Sequence, residues 1–289
     1  MPRNIESIRE KMLKSTKEQI SKTYANEEYA LMQAINAYNE LNKSYNLIYE
    51  RLSEWYGLYY PEIKISNSKL LADLVKVLND RDSISKEGLV KLFNDEQRAD
   101  SIYGKATDSM GRKMSEREKK ALLKFANSSN ELYEALNEIE AYIKEAANDI
   151  LPNTTYITDE KIAAELLSRA GSMERLATMP ASTIQLLGAE KALFKHIKFG
   201  SKPPKYGIIF KLPAITNGKK SARGRIARLY AAKISIALKA DFFSKRQIGE
   251  KLKADIEEGI KRINSKPSNF KNYKQEKHSM KRMEGRRRK

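Results

Sequence analysis

GSMERLATMPASTIQLLGAEKALFKHIKFGSKPPKYGIIF, residues 171–210, is the stretch that decides the fold of this 289-residue chain. It begins as a helical run punctuated by Gly and Pro. Gly188 interrupts the helical pattern, and a new helix starts near Glu190, because a carboxylate is favoured at a helix N-terminus. A loop rich in Lys and Pro follows. This order predicts a compact helical domain.

The helix after Gly188 has two different faces. At 100° per residue its lysines share one face, and they are Lys191, Lys195 and Lys198. The adjacent face is apolar and consists of Leu193, Phe194 and Ile197. We expect the helix to pack against its own domain by the apolar face and to offer the lysines to phosphate groups.

The charge of the chain is unevenly distributed. Its net charge is +18, but residues 1–158 hold 23 basic and 25 acidic side chains. Residues 159–265 hold 22 basic and 10 acidic side chains, and residues 266–289 hold 10 and 2. A near-neutral front and a basic back predict an assembly region followed by a polyanion-binding region.

Composition excludes several classes of protein. No apolar run approaches the length of a membrane span, and residues 1–24 are charged throughout, so we expect neither a membrane protein nor a signal peptide. The sequence has no cysteine and two histidines, which argues against disulfides and metal sites. The GKKS of residues 218–221 lacks the glycine spacing of a phosphate loop. We therefore expect no enzymatic activity, metal or cofactor.

A heptad pattern runs from Met114 to Pro152, where apolar and small side chains recur in steps of three and four. The predicted seam consists of Leu122, Phe125, Ser129, Leu132, Leu136, Ile139, Ile143, Ala146 and Ile150. A similar upstream pattern consists of Leu31, Ile35, Tyr38, Leu41, Tyr45, Ile48, Leu52 and Trp55.

These two helices, separated by shorter segments at residues 57–115, predict a long antiparallel coiled-coil hairpin with a small tip subdomain. An ordinary helix-bundle core is the alternative. Because a serine in the seam weakens a simple dimeric zipper, we expect an intramolecular hairpin that also presents a dimerisation surface.

The second half of the chain predicts shorter helices. Thr158 or Asp159 is positioned to cap one helix, Gly171 to end it and Pro180 to open the next. Residues 200–218 predict a loop with a short extended piece at residues 206–212. Further helices are expected at about residues 220–243 and 245–264, followed by a disordered tail.

Seven motifs resemble the Nop family, and in particular the archaeal box C/D ribonucleoprotein scaffold, a relative of the eukaryotic nucleolar Nop proteins and of the spliceosomal Nop-domain protein. The motifs are ERLSEWYGLYYPEI (residues 50–63), SMG (109–111), ILPN (150–153), PASTIQLLG (180–188), GAEKALFKHI (188–197), PPKYGIIF (203–210) and RGRIARLYAAKISIALKADFFS (223–244). The resemblance covers about residues 25–263.

The resemblance and the patterns together predict an all-α fold in four parts. These are a short N-terminal helical extension (1–24), a coiled-coil dimerisation domain (25–153), a compact helical Nop domain (154–265) and a disordered Lys/Arg-rich tail (266–289). The resemblance implies a non-catalytic scaffold that recognises kink-turn RNA, here a box C/D guide RNA, together with a bound ribosomal-protein-like kink-turn protein. In the family, a fibrillarin partner supplies the 2′-O-methyltransferase activity that acts on rRNA and tRNA.

Three departures from the family pattern bear on function. Only about 24 residues precede the predicted coiled coil, whereas family scaffolds usually begin with a separate domain that recruits fibrillarin, so fibrillarin binding is doubtful. Lys195 stands where the family commonly has Arg, which keeps the charge but loses the bidentate fork. The loop at residues 216–221 is short and lacks aromatics, so we expect different RNA contacts there.

The candidate RNA-binding residues are Lys191, Lys195, His196, Lys198, Lys202, Lys205, Arg223, Arg225 and Arg228. Their structural alternatives are a solvated face for the lysines, packing for the histidine and ion pairs for the arginines. The candidates for the kink-turn-protein surface are Gln185, Ala189 and Glu190, with helix capping and packing as the alternative.

Two other functions remain open from sequence alone. One is a coiled-coil assembly adaptor with only a weak basic anchor, and the other is an RNA binder of a different kink-turn particle without a methylation role. We expect a cytoplasmic location for an archaeal-type protein, and a nucleolar or nuclear one for a eukaryotic protein.

Overall fold

The computed structural model describes residues 3–78 and 84–265. Within these ranges every regular element is helical, which confirms the predicted fold class. The first helices are α1 (Arg3–Tyr24), α2 (Glu27–Tyr56), α3 (Ser68–Val77), α4 (Lys86–Phe93), α5 (Glu96–Thr107), α6 (Glu116–Ile150), α7 (Pro152–Ile157) and α8 (Glu160–Ala170). The others are α9 (Met173–Thr178), α10 (Ala181–Leu186), α11 (Glu190–Phe199), α12 (Pro213–Thr216), α13 (Arg223–Lys239) and α14 (Gly249–Ser265).

The chain divides into two compact units. Within the described residues, one comprises residues 36–78 and 84–142, and the other combines residues 3–35 with residues 143–265. The division falls inside α2 and α6. The domain limits expected at residues 24/25 and 153/154 stay predictions, and the predicted tail at 266–289 lies outside the described residues.

Within residues 36–142, α2 and α6 run antiparallel, as the heptad patterns predicted. Three contacts fix the register, because residue numbers fall along α6 as they rise along α2. They are a hydrogen bond from Tyr38 Oη to Glu140 Oε2 at 2.9 Å, a ring contact of Tyr45 with Tyr133 at 5.8 Å, and one of Trp55 with Phe125 at 6.2 Å.

The predicted seam of α6 is only partly buried. Its buried members are Leu122, Ser129, Leu136 and Ile143, and the half-buried ones are Phe125, Leu132, Ile139, Ala146 and Ile150. Ala126, Asn130 and Ala147 are buried without having been predicted. A heptad pattern marks an apolar stripe but does not say which edge of it faces the partner helix, so the buried face is shifted towards one edge.

The predicted tip subdomain is formed by α3, α4 and α5. Side-chain oxygens of Asn67, Ser85 and Asp95 cap their N-termini at 2.9–3.1 Å. Three tyrosines from the end of α2 and the following loop are almost fully buried beneath these helices. They are Tyr56, Tyr59 and Tyr60.

The SMG motif closes this subdomain by a backbone approach that only glycine allows. A Cβ on Gly111 would lie 2.1 Å from the carbonyl oxygen of Tyr59. Glu62 fixes the same loop, because its carboxylate accepts hydrogen bonds from Ser109 Oγ at 2.6 Å and from Met110 N at 2.8 Å. The motif therefore holds the loop after α5 against the loop after α2.

A capping box starts α6. The Glu118 carboxylate accepts hydrogen bonds from Ser115 N at 2.9 Å and Ser115 Oγ at 2.8 Å, and it also pairs with Arg112. The backbone hydrogen bond from Ser115, its side-chain hydrogen bond and the Arg112 guanidinium lower the pKa of Glu118 to about 2.

In the other unit, α13 is the central helix. It packs against α7, α9, α10, α12 and α14, and it buries Ile226, Ala227, Ala231, Ile234, Ala237 and Leu238. The predicted punctuation is confirmed. Asp159 caps α8 by accepting from Ile162 N at 2.7 Å, Gly171 ends that helix with φ +88°, and Pro180 precedes α10.

A buried hydrogen-bond network joins the ILPN turn to the segment after α13. The Asp241 carboxylate accepts four hydrogen bonds at 2.7–3.0 Å, from the backbone and side chain of both Asn153 and Thr154. Asn153 Oδ1 accepts from the backbone of Ile248 and Gly249 at 2.6 and 2.8 Å, and so caps α14. We call this the Asn153–Asp241 network.

The prediction of an extended piece at residues 206–212 is wrong. A 3-10 helix, Ile208–Lys211, occupies most of it. Gly207 N and Ile208 N donate to the carbonyls of Gln185 and Leu187, both at 2.8 Å. A Cβ on Gly207 would lie 2.0 Å from the Leu187 carbonyl, so glycine permits this contact and the chain then turns.

Candidate nucleic-acid interface

Helix α11 has no buried residue. All three predicted lysines are exposed. The expectation that the apolar face packs against its own domain is wrong, because Phe194 and Ile197 are 70% and 71% exposed. Leu193 is half-buried, and the neighbouring Phe199 is 72% exposed. The helix therefore presents cations and large apolar side chains to solvent together.

The ends of α11 are held firmly although its sides are not. Gly188 and Gly200 flank it with φ of +87° and +64°, a conformation that favours glycine. Gly188 N donates to the Glu190 carboxylate at 2.6 Å. His196 Nδ1 hydrogen-bonds the Ser201 carbonyl, which ties the helix to the following loop. The exposed faces thus belong to an anchored helix.

The residues predicted to meet a partner protein also have roles inside the chain. Gln185 Nε2 donates to the Lys205 carbonyl at 2.7 Å and holds the lysine-rich loop against α10. Ala189 occupies the N-cap position of α11. Together with Glu190, these residues position α11 and the loop, in line with the capping alternative.

The predicted arginines differ in their surroundings. Arg223 Nε and Nη2 donate to the carbonyls of Gly218 and Thr216 at 3.0 and 2.6 Å, so this side chain fixes the preceding loop. Its guanidinium lies over the Phe210 ring, which stacks on Tyr206 at 4.5 Å. The other two arginines form no ion pair within the described ranges; Arg225 is half-buried and Arg228 exposed.

The lysine-rich loop meets the start of α13. A Cβ on Gly224 would lie 3.8 Å from Lys205 Cδ. Lys202 and Lys205 are both exposed, as are Lys219 and Lys220 just before α13. Lys219 and Lys220 are not among the predicted RNA-binding residues, because the GKKS motif was compared only with a phosphate loop.

The charge of this surface is almost entirely positive. Residues 185–228 contain eleven Lys and Arg side chains and a single carboxylate, Glu190, which bonds Gly188 N. Lys211 pairs with Glu165. A surface with so little acidic counterpart attracts polyanions.

Two absences concern residues 3–78 and 84–265 alone. No group of three acidic or histidine side chains there could hold a metal ion. In the same ranges, no helix has both the length and the apolar character needed to span a bilayer.

Residues 37–262 match the family model of Nop, described as "snoRNA binding domain, fibrillarin". An uncharacterised NOP5 family protein of Methanocaldococcus jannaschii is 38% identical over 254 residues, which are 86% of this chain and 61% of that protein. Nucleolar protein 56 of Dictyostelium discoideum is 37% identical over 244 residues, 81% of this chain and 45% of that protein. The chain thus spans about half to three-fifths of these relatives' length.

Among solved structures, a chain of a fibrillarin/Nop5p complex is similar to this protein. The TM-score is 0.51 and the sequence identity 27%, and the match covers 89% of this chain and 77% of the other. The family description and this complex both name fibrillarin. The comparisons therefore do not support the doubt about fibrillarin that the short front end raised.

Proposed function

Since the chain belongs to the Nop family, we propose that it is a non-catalytic RNA-binding scaffold of a box C/D-type ribonucleoprotein. Its partner would be a guide RNA with a kink-turn that already carries a ribosomal-protein-like kink-turn protein. The family model is described as a snoRNA-binding domain and covers residues 37–262, which supports the RNA part of this proposal.

The observation that carries the proposal is the exposure of both faces of α11. A solvated lysine face alone is common, but large apolar side chains that are about 70% exposed on an adjacent face are not. Phosphates match the first face and an apolar protein surface matches the second. An RNA with a protein already bound offers both at once, which explains why one anchored helix would carry the two faces.

Dimerisation through the α2–α6 hairpin is part of the same proposal. The half-buried residues of the two heptad patterns form an apolar ladder on this hairpin, with Trp55 touching Phe125. By the same register, Ile48 lies opposite Leu132, and Leu41 opposite Ile139. A second copy would cover this ladder, whereas the Leu122 and Leu136 positions are already buried within one chain.

Fibrillarin would join this particle and supply its methyltransferase chemistry. The names of the family and of the solved complex support the partnership. The test is co-elution of the chain with fibrillarin in size-exclusion chromatography. Separate elution would remove fibrillarin from the proposal and leave the RNA part standing. The location follows the source: nucleolar in a eukaryotic cell, as the name of the Dictyostelium relative suggests, and cytoplasmic in an archaeal one.

The decisive experiment is a gel shift with kink-turn RNA in the presence and absence of the kink-turn protein. Little binding to free RNA and firm binding to the preformed complex are expected. Replacing Lys191 and Lys195 with Ala should weaken the ternary complex by about 1–3 kcal/mol, the scale of charge-assisted hydrogen bonds. The matched control is Lys120→Ala/Lys124→Ala, which removes the same number of positive charges from two exposed positions on α6.

Equal affinity with and without the kink-turn protein would overturn composite recognition. Sequencing of co-purified RNA then separates the remaining candidates. Enrichment of box C and box D sequences supports the methylation particle, whereas another kink-turn RNA places the chain in a different particle. A coiled-coil adaptor would capture its partner with little dependence on salt.

A further inference from the structure

A second basic and aromatic surface lies at the other end of α13, outside every residue discussed above as a binding candidate. Along a helix of 17 residues, the end at Lys239 is about 24 Å from the end at Arg223. The exposed aromatic and basic side chains near this end are Tyr156, Lys239, Phe243, Lys245, Arg246 and Lys253, and we call them the Phe243 surface.

Two aromatic rings of this surface are exposed and held in place. Phe243 is 63% exposed, and its ring is set by an edge-to-face contact with Phe242 at 4.8 Å between centroids. Tyr156 is 50% exposed; it packs on Gly249, and the Lys253 ammonium lies 5.1 Å from the ring centroid. The rings are therefore fixed platforms.

The backbone that carries these rings is rigid, because the Asn153–Asp241 network joins its segments. Tyr156 follows Asn153 by three residues, and Phe243 follows Asp241 by two. The segment Ala240–Ser244 is a π-helical turn, a feature often found at functional sites. It ends at Lys245 with φ +54°, where glycine or asparagine would strain the backbone less, so the backbone does not explain the lysine.

The charge around the rings is positive. Residues 239–253 contain five basic and two acidic side chains, and one acid, Asp241, is buried in the network. Lys239, Lys245 and Arg246 are exposed, and the structure shows no ion pair for them among residues 3–78 and 84–265. Exposed rings with cations close in sequence are the pattern by which proteins bind unpaired nucleotides, since bases stack on the rings and phosphates meet the cations.

We propose that the Phe243 surface binds a single-stranded segment of RNA by stacking bases on Phe243 and Tyr156. This inference rests on the proposed RNA-binding function but places a second contact at the Lys239 end of α13, about 24 Å from the Arg223 end. A structured RNA that binds at α11 would thus have an unpaired stretch that binds at the Lys239 end of α13.

The test measures binding of a fluorescein-labelled 12-nucleotide oligouridine to the full chain by fluorescence anisotropy. Phe243→Ala is expected to weaken binding about tenfold, the scale of one stacked base. It should leave competition by inorganic polyphosphate unchanged, because polyphosphate has no bases to stack. Phe243→Leu keeps an apolar side chain and should show the same loss. Tyr24→Ala removes another exposed ring and serves as the matched control.

Charge is tested separately from stacking. Lys239→Ala/Arg246→Ala should weaken binding of both oligouridine and polyphosphate, whereas Lys120→Ala/Lys124→Ala should change neither as much. Photo-crosslinking of a 4-thiouridine probe should label peptides that contain Tyr156 or Phe243.

Unchanged oligouridine affinity in Phe243→Ala, or crosslinks confined to residues 190–205, would overturn the proposal. If the Phe243 surface binds an acidic protein instead of RNA, Phe243→Ala would likewise leave the affinity for oligouridine unchanged. The kink-turn gel shift tests α11 independently, so loss of one contact is distinguishable from loss of the other.

Discussion

Helix α11 and the Asn153–Asp241 network lie in the same compact unit and use polar residues in opposite ways. The network buries an amide and a carboxylate and satisfies them with short hydrogen bonds inside the chain. Helix α11 has no buried residue, and within residues 3–78 and 84–265 its three lysines form no ion pair. The difference shows that one family motif stabilises the fold through buried polar contacts, whereas another leaves its side chains exposed.

The largest effect is expected from breaking the network. Asn153→Ala would leave Ile248 N and Gly249 N without their acceptor and remove one donor, Nδ2, from Asp241. Unsatisfied buried groups cost about 1–3 kcal/mol each, so the free energy of unfolding should fall by about 3–5 kcal/mol in urea denaturation. Asn148→Ala is the control, because that amide is exposed and donates to the Lys144 carbonyl of its own helix and, at 3.5 Å, to the Glu160 carboxylate. A loss below about 1 kcal/mol would refute the structural role of the network.

A smaller loss is expected where α11 is anchored. Gly207→Ala places a methyl group 2.0 Å from the Leu187 carbonyl, so backbone must move and stability should fall by about 2 kcal/mol. Gly104→Ala in α5 meets nothing within 4 Å and should instead raise stability by about 0.5–1 kcal/mol. Thermal melts of the two variants should shift in opposite directions, and parallel shifts would contradict the backbone contact.

An effect of intermediate size is expected from the half-buried carboxylate of Glu118. The folded-state pKa of Glu118 is about 2, below its ordinary value of 4.5. Its stabilisation is therefore present above about pH 4.5 and is lost as the pH falls towards 2. The difference in melting temperature between the wild type and Glu118→Gln should be largest near pH 6 and disappear near pH 2. A difference independent of pH would show that the ionised form is not responsible.

The smallest effect should come from the apolar face of α11. Phe194→Ala should change the free energy of unfolding by less than about 0.5 kcal/mol, since exposed positions are tolerant. A buried phenylalanine would cost about 3–5 kcal/mol. The same variant should weaken the ternary complex with RNA and kink-turn protein. A large loss of stability would mean that the face packs within the chain.

Local signals in the sequence were sufficient for much of the fold. The glycines at 171 and 188 and the cap at Asp159 act within a few residues, and each is confirmed. The partner of an apolar stripe is not local. This is why only four of the nine predicted seam residues of α6 are buried, and why Phe194 and Ile197 face solvent instead of their own domain.

The site was predicted less completely for the same reason. The lysines of α11 are exposed as expected, but Arg223 was indistinguishable in sequence from a free cation and instead holds its own loop. Asn153 and Asp241 are 88 residues apart. Polar side chains so distant in sequence give no pattern that reveals a shared buried network.

The antiparallel register of the hairpin couples the lengths of α2 and α6. Contacting residues have numbers that fall on one helix as they rise on the other, from Tyr38 with Glu140 to Trp55 with Phe125. An insertion in one helix alone would misalign every contact beyond it. Length can therefore change only by coordinated steps in both helices. Seven residues added to each would restore the facing positions and lengthen the hairpin by about 10 Å.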